Sequence, residues 1–297
     1  MPYPRETPRM THREMLESLL ARYRAHEAES AGETFIRTEV GSLMRRSFFT
    51  RYKDWRGVLP LHDTDEELFE ILVLLQSIDE ANGSWTMAEI GAGWGRWLIG
   101  GAIAAQRVRG IPCKLIAVEA ENTRFEMLLQ HFADNHIDPR RHRLIKGAAS
   151  ERDGKVWFTQ GHSEEWYGQS ILPRPDSGFG NHPSATVTSV PSYSLETILG
   201  SVGKVDLIDM DVQGAELDVV RGGRDILKSK VRRLHIGTHN HELEEGLRCE
   251  MRGIGWQCIC DYPCLSTVQT EFGSVYFDDG VQTWINPRYI SSGSGGR

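Results

Sequence analysis

The stretch that decides the fold is Val205-Asp-Leu-Ile-Asp-Met-Asp-Val-Gln-Gly-Ala-Glu216. Its apolar first half predicts a buried strand, which delivers two carboxylates, Asp209 and Asp211, at its carboxyl end. Side chains two positions apart in a strand point the same way, so both carboxylates should face one side of a sheet. Gly214 permits a tight turn before the next helix. Ligands of open α/β sheets bind at the carboxyl ends of strands, so the functional site is predicted here.

Strand-like and helix-like segments alternate around this stretch. The predicted strands are Trp85–Ile90, Lys114–Glu119, Arg143–Ala148, Val205–Met210 and Arg232–Ile236. The predicted helices between most of them are Gly95–Val108, Asn122–Asn135, Ala215–Ser229 and Glu242–Arg252. Such alternation indicates parallel crossovers and a sheet covered on both faces. Three further strands without helices follow, at Trp256–Asp261, Ser274–Phe277 and Gln282–Ile285. The sequence therefore predicts a Rossmann-like α/β fold, with a mostly parallel sheet and an antiparallel C-terminal edge.

The chain divides into an N-terminal extension (1–62), a main domain (63–290) and a flexible tail or expression remnant (291–297). We expect a charged helix over Thr11–Ala31 and a capping box of Thr64 and Glu67 that opens another helix. A cluster of basic residues in the extension alternates with aromatic ones: Arg45, Arg46, Arg51, Lys53 and Arg56. This cluster is interpreted as a homodimerisation arm, a cover over a cofactor, an anionic-substrate contact, or simply a packed extension with solvated charges.

Composition narrows the function classes. The 297 residues carry 34 basic and 41 acidic side chains, a net charge of -7, which gives no global attraction to nucleic acid or anionic membranes. No apolar run approaches the ~20 residues of a membrane span, and the N-terminus lacks a signal-peptide stretch. Five irregularly spaced cysteines argue against a disulfide framework, and Cys258 and Cys260 should share one buried strand face. A cytoplasmic protein without a membrane span or a nucleic-acid partner is expected.

A glycine-rich loop, Met87-Ala-Glu-Ile-Gly91-Ala-Gly93-Trp-Gly95, follows the first predicted strand and opens a helix. Its glycines let the backbone approach a ligand, and the helix N-terminus offers free N–H donors. The spacing lacks the third glycine of the dinucleotide fingerprint. Glu89, at the end of the strand, is placed to meet the cationic amino end of S-adenosylmethionine.

Glu119 ends the next strand, where a carboxylate can accept both ribose hydroxyls in a forked hydrogen bond. A nicotinamide enzyme would use the same acid, so Glu119 indicates nucleoside binding rather than one cofactor. Ala148, in the small-residue run Lys146–Ser150, leaves room for a flat adenine, or else marks tight packing.

Asp209 and Asp211 would repel each other unless a cation lay between them, and a metal, a lysine or a sulfonium would serve. His239 and His241 follow the fifth strand at the same rim of the sheet. We predict Asp211, His239 and His241 as catalytic residues, with histidine as the base; the alternative is that both histidines cap a helix or lie on the surface. Asp209, Asp211 and His239 are predicted to bind a divalent metal, Mg, Mn or Fe.

Four segments, Glu89–Gly95, Gly147–Trp157, Val187–Leu199 and above all Asp206–Gly222, resemble the FkbM-type methyltransferases. The similarity spans about residues 85–260. It implies S-adenosylmethionine as cofactor and usually O-methylation, often of sugars, polyketides or other natural products. This chain departs from the family at three positions: Asp209 replaces a common Lys, Gln213 a common Glu, and Gly237 a Glu before the histidine.

Together these observations predict S-adenosylmethionine-dependent O-methylation of a hydroxyl on a sugar, glycan or natural-product small molecule. The predicted cofactor-binding residues are Glu89, Gly91, Gly93, Glu119, Ala148 and Asp209. A nicotinamide-dependent oxidoreductase and a non-catalytic cofactor-binding scaffold remain alternatives. The long polar segment 160–184 contains Trp166 and Tyr167, which would close over an acceptor unless the segment is a disordered insertion.

Overall fold

The computed structural model describes residues 10–25, 31–48, 54–59, 66–161, 169–174, 186–200 and 202–289. The strands in these ranges are β1 (Phe35–Arg37), β2 (Leu43–Arg45), β3 (Trp85–Ile90), β4 (Cys113–Glu119), β5 (Arg143–Lys146), β6 (Ala148–Ala149), β7 (Gly154–Gln160), β8 (Ile171–Leu172), β9 (Thr186–Tyr193), β10 (Leu207–Met210), β11 (Arg233–Thr238), β12 (Gln257–Tyr262), β13 (Ser266–Thr270), β14 (Gly273–Phe277) and β15 (Gly280–Ile285). The α-helices there are α1 (His12–Tyr23), α2 (Glu67–Asp79), α3 (Arg96–Ala104), α4 (Asn122–Asp134), α5 (Leu195–Leu199), α6 (Glu216–Gly222), α7 (Arg224–Lys230) and α8 (His241–Gly253). Within the described ranges, no helix has the length and apolar character needed to cross a membrane.

A seven-stranded sheet forms the centre of the molecule, in the order β12-β15-β11-β10-β3-β4-β5. Strands β5, β4, β3, β10 and β11 pair in parallel, and β15 pairs antiparallel with both β11 and β12. The predicted mostly parallel α/β sheet with antiparallel C-terminal pairing is confirmed, with β15 lying one strand in from the edge. Because the chain runs outward from β3 to β5 and then returns to β10, the strand order reverses between β3 and β10. Such a reversal opens a crevice at the carboxyl ends.

Helices cover both faces of this sheet, as the alternating pattern along the strands dictates. On β10, Leu207 joins the core beneath α2, α3 and α4, whereas Ile208 and Met210 join the core beneath α5 to α8. Asp209 lies between Ile208 and Met210 in the strand, so its side chain points to the opposite face, which it shares with Leu207. The carboxylate therefore projects toward α2 and α3.

A second, four-stranded sheet follows β5, with the order β6-β9-β7-β8. The sequence prediction placed no strand after residue 148 and before residue 205, so this sheet is a correction. The predicted strand Arg143–Ala148 breaks at Gly147, where a Cβ would lie 2.7 Å from the Pro191 carbonyl oxygen. The chain thereby leaves the central sheet and enters β6. Phe158, Val190 and Ala148 of the second sheet pack on Ala120, which follows β4.

The described part of the N-terminal extension packs against the main domain. Leu19 and Tyr23 of α1 join the core beneath α2 and α3, and α1 ends at Tyr23 rather than near Ala31. Phe48 packs on Trp94 of the glycine loop, and the Arg45 guanidinium lies 2.6 Å from the Asp134 carboxylate. The extension therefore packs against the glycine loop.

Several predictions fall on residues outside the described ranges. They are the boundary at residues 62 and 63, the Thr64 cap, the basic residues Arg51 and Lys53, the aromatic pair Trp166 and Tyr167, and the tail.

Candidate active site

The glycine loop lies directly on the end of β10. Gly91 has a φ of 82°, and a Cβ on it would lie 1.6 Å from the Asp211 carbonyl oxygen, so only glycine fits. Gly93 has a φ of 52°, and no atom lies within 4 Å of the position its Cβ would take. The loop is thus packed tightly at Gly91 and open at Gly93, where a ligand can approach the backbone.

A cleft of about 620 Å³, here called the upper cleft, opens between this loop and the second sheet. The predicted residues Gly91, Gly93, Glu119, Ala148 and Asp211 all line it. The other lining residues are Val118, Ala120, Arg124, Gly147, Ala149, Phe158, Gln169, Ile171, Val212 and Gln213. The structure therefore brings the acid at the end of β4, the small residues after β5 and the glycines into one cleft.

Glu119 is buried at the base of the upper cleft. Its Oε2 accepts the Gly93 N–H at 2.7 Å, and its Oε1 accepts the Glu121 N–H at 2.6 Å. Burial raises the pKa of Glu119 to about 7, although the two backbone donors work in the opposite direction. Each carboxylate oxygen can accept a second hydrogen bond, so Glu119 retains capacity for two hydroxyl donors.

Glu89 is also buried, but it is held by α3. Its Oε2 accepts the Leu98 N–H at 3.0 Å, so the carboxylate satisfies a free donor in the first turn of α3. Burial, followed by the nearby charge of Asp209, raises the pKa of Glu89 well above its ordinary value. Glu89 lines a second cavity rather than the upper cleft.

This second cavity, here called the acidic cavity, is an open space of about 1090 Å³ on the side of α2 and α3. It meets the upper cleft at Gly91, Gly93 and Asp211. Its carboxylates are Glu66, Glu67, Glu70, Glu89, Asp209, Asp211 and Asp279. Arg96 is the guanidinium that lines it, and its Nη2 donates to Glu67 Oε2 at 2.7 Å. Carboxyl groups therefore dominate the polar lining of this cavity, and they suit cationic or hydroxyl-bearing groups.

A row of polar side chains crosses the floor of the acidic cavity. Asp209 pairs in register with Glu89 on one side and with His235 on the other, so all three side chains share one face. Burial and the charge of Asp211 raise the pKa of Asp209, and burial and the charge of Asp209 raise that of Glu70. Burial lowers the pKa of His235 to about 4, and its Nδ1 lies 2.7 Å from Thr283 Oγ1.

His239 and Asp211 converge where β10 and β11 end, as the parallel pairing required. His239 Nε2 lies 3.1 Å from Asp211 Oδ1 and 3.2 Å from Glu216 Oε1, and its Nδ1 lies 2.9 Å from Asp279 Oδ1. Burial alone would lower the pKa of His239, but the three carboxylates outweigh it and raise the pKa to about 12. The carboxylates fix the position of the imidazole at this rim, and the role of His239 as general base stays a prediction.

Two further predictions are corrected by the placement of side chains. His241 is the first residue of α8, its side chain is 70% exposed, and it lines neither cavity, so it does not meet the predicted catalytic residues. Of the predicted metal ligands, Asp211 and His239 do lie together, but their third neighbour is Glu216. Asp209 instead faces the acidic cavity from within β10.

Sequence reasoning assigned no role to five residues of the site: Glu70, Phe158, Glu216, His235 and Asp279. The sequence contained a local indication of two of them. Glu216 is the last residue of the most specific motif, and His235 is a polar residue within an apolar strand. Asp279 occupied a predicted turn, and only the pairing of β15 with β11 brings it to His239.

Comparisons with known proteins show which family the chain resembles. A family model described as the methyltransferase FkbM domain matches residues 105–252. A protein of Jannaschia sp. (strain CCS1), named "Putative methyltransferase", is 33% identical over 205 residues, which cover 68% of this chain and 72% of that protein. The 2-O-methyltransferase NoeI of Sinorhizobium fredii (strain NBRC 101917 / NGR234) is 32% identical over 115 residues, or 36% of this chain and 47% of NoeI.

Among solved structures, methyltransferase FkbM from Methylobacillus flagellatus KT superposes with a TM-score of 0.44 at 12% identity. That superposition covers 91% of this chain and 58% of the other. The identity to the Jannaschia protein over most of both chains, together with the family match across the strands that carry Glu119, Asp211 and His239, identifies the relationship. The chain belongs to the FkbM methyltransferase family.

Proposed function

We propose that this methyltransferase uses S-adenosylmethionine to methylate a hydroxyl on a sugar, glycan or other small molecule. The observation that carries the proposal is the junction of the two cavities at Gly91, Gly93 and Asp211. A nucleoside in the upper cleft and an acceptor in the acidic cavity would meet there. The cofactor supplies an electrophilic methyl group on a sulfonium, so the protein mainly has to align the two reactants.

The upper cleft fits the nucleoside part of this cofactor. Glu119 can accept the two ribose hydroxyls, since each of its oxygens keeps a free acceptor position. Ala148 offers a small surface beneath a flat base, and Phe158 offers an apolar wall. Asp211 places a carboxylate beside the expected position of the sulfonium, where opposite charges attract.

The acidic cavity fits a hydroxyl acceptor. The carboxylates of Asp209 and Glu70 line it, and neither has a hydrogen-bond partner among the residues the structure describes. In its ionised form, either carboxylate can accept the proton that the acceptor hydroxyl loses as its oxygen attacks the methyl carbon. The name of NoeI, a 2-O-methyltransferase, supports oxygen as the methylated atom.

Two alternatives are tested by ligand binding. A nicotinamide-dependent oxidoreductase would use Glu119 in the same way, and a non-catalytic scaffold would bind cofactor without turnover. Isothermal titration with S-adenosylhomocysteine and, separately, with NADH discriminates between the cofactors. The proposal expects binding of S-adenosylhomocysteine and weak or no binding of NADH; the reverse result would rule it out.

The methylated atom can be identified even while the acceptor molecule is unidentified. The protein is incubated with carbon-13 methyl-labelled S-adenosylmethionine and a fractionated extract of glycans and metabolites. New carbon–proton correlations at methoxy chemical shifts are expected. Labelled N-methyl or S-methyl groups would contradict O-methylation, and a complete lack of transfer across fractions would favour the scaffold.

A further inference from the structure

We propose that a divalent metal ion binds between Asp211, Glu216 and His239. This proposal deepens the proposed function and rests on it for the metal's role, although the binding site itself stands on the side chains alone. The three ligand atoms, Asp211 Oδ1, Glu216 Oε1 and His239 Nε2, lie within 4.8 Å of one another. The set differs from the one predicted from sequence, because Glu216 replaces Asp209.

Two of the three separations between the ligand atoms match neighbouring positions of a coordination polyhedron, and the third is at most 4.8 Å. His239 Nε2 lies 3.1 Å from the Asp211 oxygen and 3.2 Å from the Glu216 oxygen. Neighbouring ligands of an octahedral ion with bonds of ~2.1 Å lie about 3 Å apart, and those of a tetrahedral zinc ion only slightly more. One ion can therefore contact all three atoms with small side-chain movements.

Each ligand is oriented by a further hydrogen bond. His239 Nδ1 lies 2.9 Å from Asp279 Oδ1, which is the carboxylate–histidine arrangement that commonly fixes a metal-binding imidazole. Glu216 accepts the N–H groups of Val212 and Gly214, both at 2.9 Å. Asp211 Oδ1 accepts from the Gln213 amide at 2.7 Å. These hydrogen bonds orient the three ligands toward one another.

Charge also favours a cation at this point. Three carboxylates surround one imidazole, and the Glu216 side chain is 0% exposed. Burying a carboxylate is costly unless an opposite charge compensates it. An ion with charge +2, bound to a neutral histidine, would balance Asp211 and Glu216 and leave Asp279 to orient the ring. Two carboxylates with one imidazole suit Mn²⁺, Fe²⁺ or Zn²⁺ better than Ca²⁺.

The position of the ion indicates a catalytic role. Asp211 is 51% exposed and lines both cavities, whereas Glu216 and His239 lie behind it. The free coordination positions would therefore face the junction of the cavities. Three protein ligands with open positions are typical of catalytic rather than structural metal sites. There the ion can hold the acceptor oxygen beside the methyl group.

The test is direct binding of Mn²⁺ to the full chain after chelator treatment and buffer exchange. Free Mn²⁺ is followed by electron paramagnetic resonance while the ion is added. We expect one Mn²⁺ per chain, with Asp211→Asn and Glu216→Gln each weakening binding at least tenfold. Asp218→Asn is the matched control, because this carboxylate is exposed on the same α6 and, among the described residues, forms an ion pair with Arg221.

Circular dichroism and thermal melting establish that each variant folds. If Glu216→Gln fails to fold, Asp211→Asn alone decides, because its side chain is half exposed. A folded wild-type chain that binds no Mn²⁺, or binding that survives Asp211→Asn unchanged, would overturn the proposal. Titration with S-adenosylhomocysteine in the presence of EDTA tests the proposed function separately, because the ribose contacts at Glu119 need no metal.

Discussion

Gly91 sets the distance between the ends of β3 and β10, because its missing side chain lets the two backbones touch. Gly91→Ala would push the Asp211 carbonyl away and add left-handed strain, so we expect a loss of about 2–4 kcal/mol in unfolding free energy. Gly110→Ala is the control, since Gly110 has a φ of 60° but no atom within 4 Å of its Cβ position. The Gly110→Ala variant should lose only ~1–2 kcal/mol of unfolding free energy, because left-handed strain is its sole cost. Equal losses in urea denaturation would show that the contact with Asp211 is not tight.

Glu119 should make cofactor binding depend on pH. Its pKa is raised to about 7 by burial, and ribose hydroxyls donate to the ionised form. Affinity for S-adenosylhomocysteine is therefore expected to be full at a pH well above the pKa of Glu119 and to fall as the pH drops through that pKa. This dependence can be measured by binding titrations between pH 5.5 and 8.5, a range that extends about one and a half pH units on each side of the pKa of Glu119.

Substitution of the same residue separates Glu119 from other titrating groups. Glu119→Gln should weaken binding by about 1.5–3 kcal/mol, the scale for hydrogen bonds to a charged group, and should flatten the pH profile. Glu126→Gln, on the exposed face of α4, should change neither. A pH profile that survives Glu119→Gln would place the titrating group elsewhere.

At the scale of single elements, the sequence located the strands and helices with strong periodicity. Predicted β3 has the observed bounds, and predicted β10 differs only because Val205 forms an isolated bridge rather than a ladder. Cys258 and Cys260 were expected to share one face, but the register shifts between them, so Cys258 packs in one core and Cys260 in the other. The alternation of residues along a strand does not reveal a β-bulge, so the separation of the two cysteines could not be predicted from the sequence.

The second sheet was missed for a similar reason. Strands β7 and β9 are mostly polar, and their alternation is too weak to indicate strands by itself. Only their mutual pairing, from Gly154 with Ser192 to Gln160 with Thr186, makes them a sheet.

The predicted helix over residues 215–229 is divided by Gly223, where a Cβ would lie 2.4 Å from Leu195 Cδ1. Gly223→Ala would force α5 away from α6 and α7, so we expect a loss of about 1–3 kcal/mol of stability. Gly253→Ala has no atom within 4 Å of its Cβ position and serves as control, with a change near zero. If the denaturation curves of the two variants coincide, Leu195 of α5 does not pack tightly against Gly223.

At the scale of the whole molecule, topology explains why the site could be predicted in part. Parallel pairing brings the ends of β3, β4, β10 and β11 to one edge, so Gly91, Glu119, Asp211 and His239 had to meet there. Glu70 arrives on a helix and Asp279 on a turn, and no local pattern marks either. The carboxylate partners of His239 likewise come from distant parts of the chain, so the sequence around His239 could not indicate them.

The N-terminal extension should contribute to the stability of the whole domain. Leu19 is buried in the core beneath α2, so Leu19→Ala should cost about 2–5 kcal/mol in a single unfolding transition. Leu129→Ala, on the exposed face of α4, should cost little. Two separate transitions in the melt, with the main one unchanged, would mean that the extension folds independently. The homodimer suggested by the basic and aromatic cluster stays a prediction.

The central claim is that the methyl donor occupies the upper cleft and presents its sulfonium at Asp211. A crystal structure of the chain with S-adenosylhomocysteine tests it most directly. The account predicts ribose oxygens within hydrogen-bond distance of the Glu119 carboxylate, adenine between Ala148 and Phe158, and the sulfur at the junction with the acidic cavity. Ligand bound away from Glu119, or sulfur pointing away from Asp211, would contradict it.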